Sequence, residues 1–311
     1  QPSEFAKAVT ALALSNLMSN RNYNLSLIKN QLKALIIIFL PAFLIALHDP
    51  GSALIYFGFF FVLNREGLTL AYILLGLASI VLFILTILLG VKSTIIFLFS
   101  IISVYFIYKL FKIKHFLRFN WLTILLIYSL SSIFILSADY SYNHILKKHQ
   151  RDRFEVLLGR TSDTQQIGYN STQSLQTISS GKFWGKGYLE GDKTQGNFVP
   201  EQDTDYIFSV VGEEWGFVGS SLLIILFMVL LFRILNRAEK HANKFGRIYG
   251  YGVASILFFH LIVNIGMVIG LLPTIGIPLP FISYGGSSLW GFTLLLFIFI
   301  KLDSQKSYDW W

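Results

Sequence analysis

The sequence contains no cysteine, and charged residues make up only 14% of its 311 positions. Without cysteine, the chain forms no disulfide, thiolate nucleophile or thiolate metal site. The six histidines show none of the spacings that metal ligands adopt, so no metal site is predicted from them. Hydrophobic residues fill 54% of the positions, and the mean hydropathy is +0.60. This composition excludes a soluble globular protein and a disordered chain, which leaves a membrane protein.

Long runs without charge predict an all-α fold, a polytopic bundle of transmembrane helices. About 20 apolar residues cross the hydrocarbon core of a bilayer, and most of the runs approach this length. Two short runs flank His48–Ser52, and one of them contains Pro41, so we expect kinked or broken helices there. The nine predicted spans are Phe5–Ser19, Ala34–Leu47, Ala53–Leu63, Leu68–Gly90, Ser93–Tyr108, Trp121–Ala138, Trp215–Phe232, Ile248–Leu272 and Phe281–Ile300.

Charge is concentrated in one long polar loop, which divides the chain into three predicted parts. Residues 139–214 hold 19 of the 42 charged residues and carry a net charge of −3, whereas the rest of the chain carries +11. The parts are an N-terminal part of the bundle at 1–138, the loop at 139–214 and the C-terminal spans at 215–311. Basic residues collect on one alternating set of connections, so the positive-inside rule places the loop outside the cytoplasm. The basic surplus records orientation, and no nucleic-acid partner is predicted from it.

Three ionisable residues near the N-terminus stand out because acids are scarce outside the long loop. Glu4 and Lys7 lie three positions apart, so on a helix they share one face and can pair. Asp49 lies in the break between two apolar runs. Ionisable groups at membrane depth are costly, which indicates a functional cavity. The alternative interpretation is a structural ion pair and a loop cap.

The end of the polar loop has five carboxylates within residues 201–214. Asp205 comes directly before an apolar stretch, so we expect desolvation to raise its pKa and to favour a role as general base. We expect Glu201 and Asp203 to lie in water. The alternative is an acidic cap on the following helix, with Glu213 and Glu214 in its first turn.

Two other parts of the loop suit a phosphate-bearing ligand. The glycine-rich stretch 181–191 contains Lys182 and Lys186, whose charges fit a phosphate cradle, although the spacing is not that of a P-loop. The planar guanidinium groups of Arg151 and Arg153 suit hydrogen bonding to a pyrophosphate, and they suit lipid headgroups equally. A turn-rich connector is the alternative for 181–191.

Residues 273–288 have three prolines, three glycines and no charge. This segment cannot be helical throughout, and irregular backbone at membrane depth lines a cavity or lies within protein. We predict a re-entrant cavity wall that includes Ser283 and Tyr284. His260 and Asn264, one turn apart in the preceding span, are predicted to form interhelical hydrogen bonds and not to bind a ligand.

Five segments, in order along the chain, resemble the SEDS family, and within it RodA more closely than FtsW. They are QPSEFAK at 1–7, DPGSA at 49–53, FVPEQDTDYIF at 198–208, GEEWG at 212–216 and GIPLPFISYGGSS at 276–288. The resemblance implies an inverting peptidoglycan glycosyltransferase that polymerises lipid II on the outer face of the bacterial cytoplasmic membrane during cell elongation. It also implies release of undecaprenyl pyrophosphate and a class B penicillin-binding protein, a transpeptidase, as partner.

Motif by motif, the resemblance implies that Asp205 is the family's essential loop aspartate and that Glu4 and Lys7 are its polar pair. Asp49 matches the acid of the second motif, where His48 and Pro50 depart from the family pattern Gln-Pro-Asp-Leu-Gly-Thr. The first family spans are absent, so we expect an N-terminal truncation. We expect no organic cofactor, and a divalent cation, Mg²⁺ or Mn²⁺, as the candidate cofactor.

Two other functions remain open at this point. A flippase for a lipid-linked sugar also has broken helices and a polar cavity. A scaffold that only organises its transpeptidase partner would need no carboxylate at position 205.

Overall fold

The computed structural model describes residues 1–112, 121–158 and 168–305. Within these ranges the regular structure is helical and no β-strand occurs, which confirms the all-α prediction. A 3-10 turn at Ile55–Gly58 joins α3 to α4, and a π-helical turn at Ser141–Ile145 follows α7. Residues 159–167 of the predicted polar loop lie outside the described residues. The helices are α1 (Pro2–Ser19), α2 (Ile28–Ala46), α3 (Pro50–Leu54), α4 (Phe59–Arg65), α5 (Ala71–Leu89), α6 (Val91–Lys112), α7 (Trp121–Tyr140), α8 (Lys148–Leu157), α9 (Tyr169–Ser180), α10 (Asp192–Gln195), α11 (Ile207–Glu239), α12 (Lys244–Val268) and α13 (Gly286–Gln305).

The chain is a multi-pass membrane protein. Among the described residues, six helices are long and apolar enough to cross a bilayer: α2, α5, the stretch Ile124–Ile145, α11, α12 and α13. The predicted count of nine was an approximation. The run Ala53–Leu63 forms short helices, α1 is not among the six, and α6 contributes a shorter apolar stretch at Val91–Tyr105.

The break predicted at His48–Ser52 occurs between α2 and α3, and Pro41 does not end α2. Helix α2 continues through Pro41 and ends at Ala46. Asp49 then begins α3 as its N-cap, because its carboxylate accepts a hydrogen bond from the Ser52 amide. The break therefore places the Asp49 carboxylate between α2 and α3.

The described residues form two compact units. The first comprises those within Gln1–Thr69 and Thr161–Trp311, and the second those within Leu70–Arg160. In the second unit, α6 and α7 are joined by a hydrogen bond of 2.9 Å between the hydroxyls of Ser103 and Tyr128. The three-part division of the chain at 138 and 214 stays a prediction.

Helix α12 is the central helix of the first unit, where it contacts α1, α4, α9, α11 and α13. Asn243 caps its start by accepting a hydrogen bond from the Phe245 amide at 2.9 Å. Its end is closed by Gly270, whose φ of +72° allows the Leu271 amide to reach the Gly266 carbonyl at 2.7 Å. The segment that follows has no regular structure until α13 begins, as predicted for this proline-rich stretch.

Helix α11 consists of two helical pieces separated at Gly216, whose φ of 63° and ψ of −159° are not helical. Stretch 181–191 packs against this break. The Phe217 amide donates to the Lys182 carbonyl at 3.0 Å, and the Val218 amide donates to the Phe183 carbonyl at 3.2 Å. These bonds satisfy amides that the start of a helix leaves without partners.

Candidate active site

Asp205 lies two residues before α11, and backbone hydrogen bonds hold it in place. Its amide donates to the Glu201 carbonyl at 3.1 Å, and its own carbonyl accepts from the Asn264 side chain at 2.7 Å. The carboxylate lies against Gly276, because a Cβ atom built on that glycine would be 3.1 Å from Asp205 Oδ2. Gly276 has a φ of +77°, a conformation that L side chains rarely adopt.

The Asp205 carboxyl is half-buried, and this changes its acidity. Burial raises the pKa of Asp205 from 3.8 to about 6, and the negative charges of Glu201 and Asp49 add to the increase. Glu201 and Asp203, in contrast, are exposed. The expected desolvation of Asp205 is therefore confirmed, and its carboxylate suits proton transfer near neutral pH.

Asp49 faces the same region as Asp205. Its carboxylate accepts hydrogen bonds from the Ser52 hydroxyl at 2.6 Å and from the Gln1 side chain at 2.9 Å. The next turn packs closely on the proline-rich segment, since a Cβ atom on Gly51 would lie 2.5 Å from the Ile275 side chain. Asp49 thus combines the cap role with a position whose charge acts on Asp205.

Glu4 and Lys7 form a buried ion pair, as their spacing predicted. The Lys7 ammonium lies 2.8 Å from Glu4 Oε2, and each residue is only 2% exposed. The ammonium also lies 2.8 Å from His260 Nε2 and 5.2 Å from the centre of the Phe292 ring. Because an ammonium only donates, His260 Nε2 accepts this bond, and Nδ1 carries the proton that bonds the Pro278 carbonyl at 3.1 Å.

His260 and Asn264, one turn apart on α12, bond the Lys7 ammonium and the Asp205 backbone respectively. The amide of Asn264 donates to the carbonyls of Asp205 and Ile277, both at 2.7 Å, and the side chain is fully buried. His260 bonds Lys7 and the neighbouring carbonyl of Pro278. His260 makes an interhelical bond to Lys7 on α1, as predicted, whereas Asn264 bonds two backbone carbonyls that lie outside the helices. The sequence flagged both polar residues but not their partners.

The other predicted cavity residues of the first unit, Glu201, Ser283 and Tyr284, make different contacts. Glu201 is exposed, and its carbonyl accepts the amides of Thr204, Asp205 and Tyr206. The Ser283 hydroxyl accepts the Leu279 amide at 2.7 Å, so it shapes the segment. Tyr284 is 79% exposed, and its amide donates to the Asp203 carbonyl at 2.8 Å, which fixes the segment to the Asp205 loop.

Lys186 already has two anionic partners. Its ammonium lies 2.7 Å from Glu213 Oε1 and 3.0 Å from Asp192 Oδ2, and these bonds raise the pKa of Lys186. Glu213 is fully buried inside α11 and also accepts from Ser180 and Thr194, so it is not a first-turn cap. An anionic ligand would compete with these carboxylates, and a binding role for Lys186 stays a prediction.

Arg151 and Arg153 lie on α8 in the second unit. Arg151 donates to the Asn143 carbonyl at 3.2 Å. Their predicted role toward pyrophosphate stays a prediction.

The described ranges contain no group of three or more His, Cys, Asp or Glu side chains arranged to hold a metal ion. Mg²⁺ needs no such cluster, because it binds through one or two carboxylates together with substrate phosphates and water. Glu201, exposed beside Asp205, is a carboxylate of this kind. The residues beside Asp205 therefore fit a cation that is held by one carboxylate together with the phosphate groups of a ligand.

A family model described as a cell cycle protein, FTSW_RODA_SPOVE, matches residues 71–308. The chain belongs to the FtsW/RodA/SpoVE family. Peptidoglycan glycosyltransferase MrdB of Escherichia coli is 35% identical over 291 residues, which cover 93% of this chain and 64% of MrdB. Peptidoglycan glycosyltransferase RodA of Treponema pallidum is 35% identical over 162 residues, 52% of this chain and 37% of that protein. The chain thus spans less than two thirds of the length of these relatives.

Solved structures share the FtsW/RodA/SpoVE fold. A chain of a peptidoglycan synthase complex, studied for the coordination of polymerization and crosslinking, matches with a TM-score of 0.66 and 25% identity over 98% of this chain and 70% of that chain. The crystal structure of a point mutant of the rod shape determining protein RodA from Thermus thermophilus matches with a TM-score of 0.56 at 22% identity. It covers 98% of this chain and 66% of that one, and supports the fold alone.

Proposed function

We propose that this protein is a peptidoglycan glycosyltransferase that polymerises lipid II into glycan strands. The Asp205 carboxyl carries the proposal, because it is half-buried, its pKa is about 6, and it lies in the loop motif that resembles the family's essential aspartate. The names of the relatives support the same activity.

Asp205 acts as the general base of one inverting displacement. Its carboxylate accepts the proton of the acceptor sugar's 4-hydroxyl while that oxygen attacks the anomeric carbon of a second lipid-linked sugar. The new carbon–oxygen bond forms as the bond to pyrophosphate breaks, and undecaprenyl pyrophosphate leaves with the electron pair. A single inversion converts the α-linked donor into a β-1,4 linkage without a covalent enzyme intermediate.

The other charged groups support this step. Lys7 is enclosed by Glu4 and His260, so it positions the segment at Pro278 and does not meet the pyrophosphate directly. Asn264 positions the Asp205 backbone. A divalent cation, Mg²⁺ or Mn²⁺, held by the Glu201 carboxylate and the substrate phosphates, would offset the pyrophosphate charge.

The reaction takes place on the outer face of the bacterial cytoplasmic membrane during cell elongation. A class B penicillin-binding protein binds the polymerase and crosslinks its product. The similarity to a chain of a peptidoglycan synthase complex supports an assembly of this kind.

The test is glycan polymerisation from purified lipid II by the partner-bound protein, with Asp205→Ala beside Asp203→Ala as the matched control. Asp203 is exposed and its side chain faces water, so its variant keeps activity. Polymer from the wild type and the control, but not from Asp205→Ala, supports the proposal. Full activity of Asp205→Ala removes the base assignment, and lipid II translocation in liposomes without polymerisation would favour a flippase.

A further inference from the structure

Five large aromatic side chains are exposed around the break in α11, and we refer to them as the aromatic collar. Three come from the stretch 181–191 and two flank Gly216. Two ring pairs connect the groups, with Phe183 stacked on Phe217 at 5.7 Å and Tyr188 near Trp215 at 6.5 Å between ring centres. The exposed fractions are 54% for Phe183, 77% for Trp184, 69% for Tyr188, 54% for Trp215 and 63% for Phe217.

The collar is a fixed surface and not a set of independent side chains. Besides the bonds from the start of the second helical piece to Lys182 and Phe183, the amides of Lys186 and Gly187 donate to the carbonyls of Glu213 and Glu214, both at 3.0 Å. The pair between Lys186 and the buried Glu213 adds a charged contact between the same two segments. The loop is therefore bonded to α11 on both sides of Gly216.

The collar lies where an apolar membrane span begins. Immediately after Phe217, α11 exposes a row of aliphatic side chains that includes Leu222, Leu226 and Val229, each more than half exposed. These side chains face lipid in a helix that crosses the bilayer. The collar continues this lipid-facing surface at one end of the span, where the exposed side chains are aromatic and not aliphatic.

The chemistry of the collar fits the interfacial layer of a bilayer. Tryptophan and tyrosine collect at headgroup level, because their rings are apolar and their N–H or O–H groups bond water and headgroups. Lys182 is exposed in the same loop, and its charge suits lipid phosphate. In bulk water, by contrast, the exposed rings of Trp184, Tyr188 and Phe183 would have no apolar partner for most of their surface.

We propose that the aromatic collar lies in the lipid headgroup layer and fixes the depth of the 181–191 loop. Through the hydrogen bonds to α11, this anchor also sets the depth of the polar segment before α11, which contains Asp205. The proposal rests on the membrane assignment and not on the proposed reaction.

The absence of cysteine makes a direct depth measurement straightforward. A single cysteine in Trp184→Cys or Tyr188→Cys carries an environment-sensitive fluorophore, and the full chain is reconstituted without a partner into nanodiscs of phosphatidylglycerol and phosphatidylethanolamine. Glu190→Cys, exposed in the same loop but outside the collar, is the matched control. Labels at 184 and 188 should be blue-shifted, and quenched more by lipids spin-labelled at the headgroup than by iodide in the buffer. The label at 190 should be quenched more by iodide than by the spin-labelled lipids.

Two results would overturn the proposal. Equal iodide quenching at 184, 188 and 190 would mean that the collar lies in water. Labels that become protected only when a transpeptidase is added would mean that the collar docks a protein and not the membrane. The test measures label depth and not polymerisation. It can therefore fail or succeed independently of the proposed reaction.

Discussion

Replacing Asp205 with asparagine should separate its role in proton transfer from its cost to the fold. Asparagine keeps the size and planar shape of the side chain, but it carries no charge and cannot act as a base. Because burial raises the pKa of Asp205 to about 6, the ionised carboxylate is disfavoured in the folded protein. We expect Asp205→Asn to abolish polymerisation and to stabilise the protein at neutral pH.

The size of this stabilisation follows from the two pKa values. The carboxyl titrates near 3.8 in the unfolded chain and at about 6 in the folded protein. At about 1.4 kcal/mol for each pKa unit, ionisation costs the fold at most ~3 kcal/mol. The side chain is partly exposed, and screening by water reduces this cost to ~1–2 kcal/mol.

The sign of the pH dependence is fixed by the raised pKa. Below about pH 4 the carboxyl is protonated in both states and costs nothing. As the pH rises toward 6 the unfolded chain releases its proton first, so the wild type loses stability across this window and stays at the lower value above it. The asparagine variant shows no such loss, and its advantage therefore appears between about pH 4 and 6.

Thermal unfolding in detergent between about pH 4 and 8 measures this difference, with Asp203→Asn as the exposed control. Wild-type polymerisation should rise through about pH 6 in parallel. An advantage of Asp205→Asn that is equal at all pH values, or equal in the control, would refute the desolvation argument. An active Asp205→Asn protein would refute the assignment of the base.

Three further outcomes are expected. Lys7→Met should destabilise the protein by about 3–5 kcal/mol, because it leaves the buried Glu4 carboxylate without a partner. In thermal unfolding, the double variant Lys7→Met with Glu4→Gln should be more stable than Lys7→Met alone. Equal losses of stability in the single and the double variant would contradict the pairing. Gly276→Ala should reduce polymerisation far more than Gly67→Ala, since both have positive φ but only Gly276 lies against Asp205; equal activities would argue against that contact. Chelation of divalent cations should stop polymerisation, and added Mg²⁺ or Mn²⁺ should restore it, whereas unchanged activity in chelator would exclude the ion.

The sequence alone determined the features that depend on near neighbours. Long uncharged runs indicated membrane helices, because hydrocarbon excludes charge over a fixed length. The position of Asp205 before an apolar run predicted its burial, and three prolines with three glycines predicted the irregular backbone of 273–288. The spacing of Glu4 and Lys7 predicted their pair, since residues three apart share a helix face.

Only the tertiary structure decided which distant groups meet. Lys7 and His260 are 253 positions apart, and their bond depends on how α1 packs on α12. Other long-range contacts bring Asn264 on α12 to the carbonyls of Asp205 and Ile277, and Lys186 to the buried Glu213 on α11. No local pattern of charge or hydropathy encodes these partners, because each depends on the relative placement of whole helices and loops.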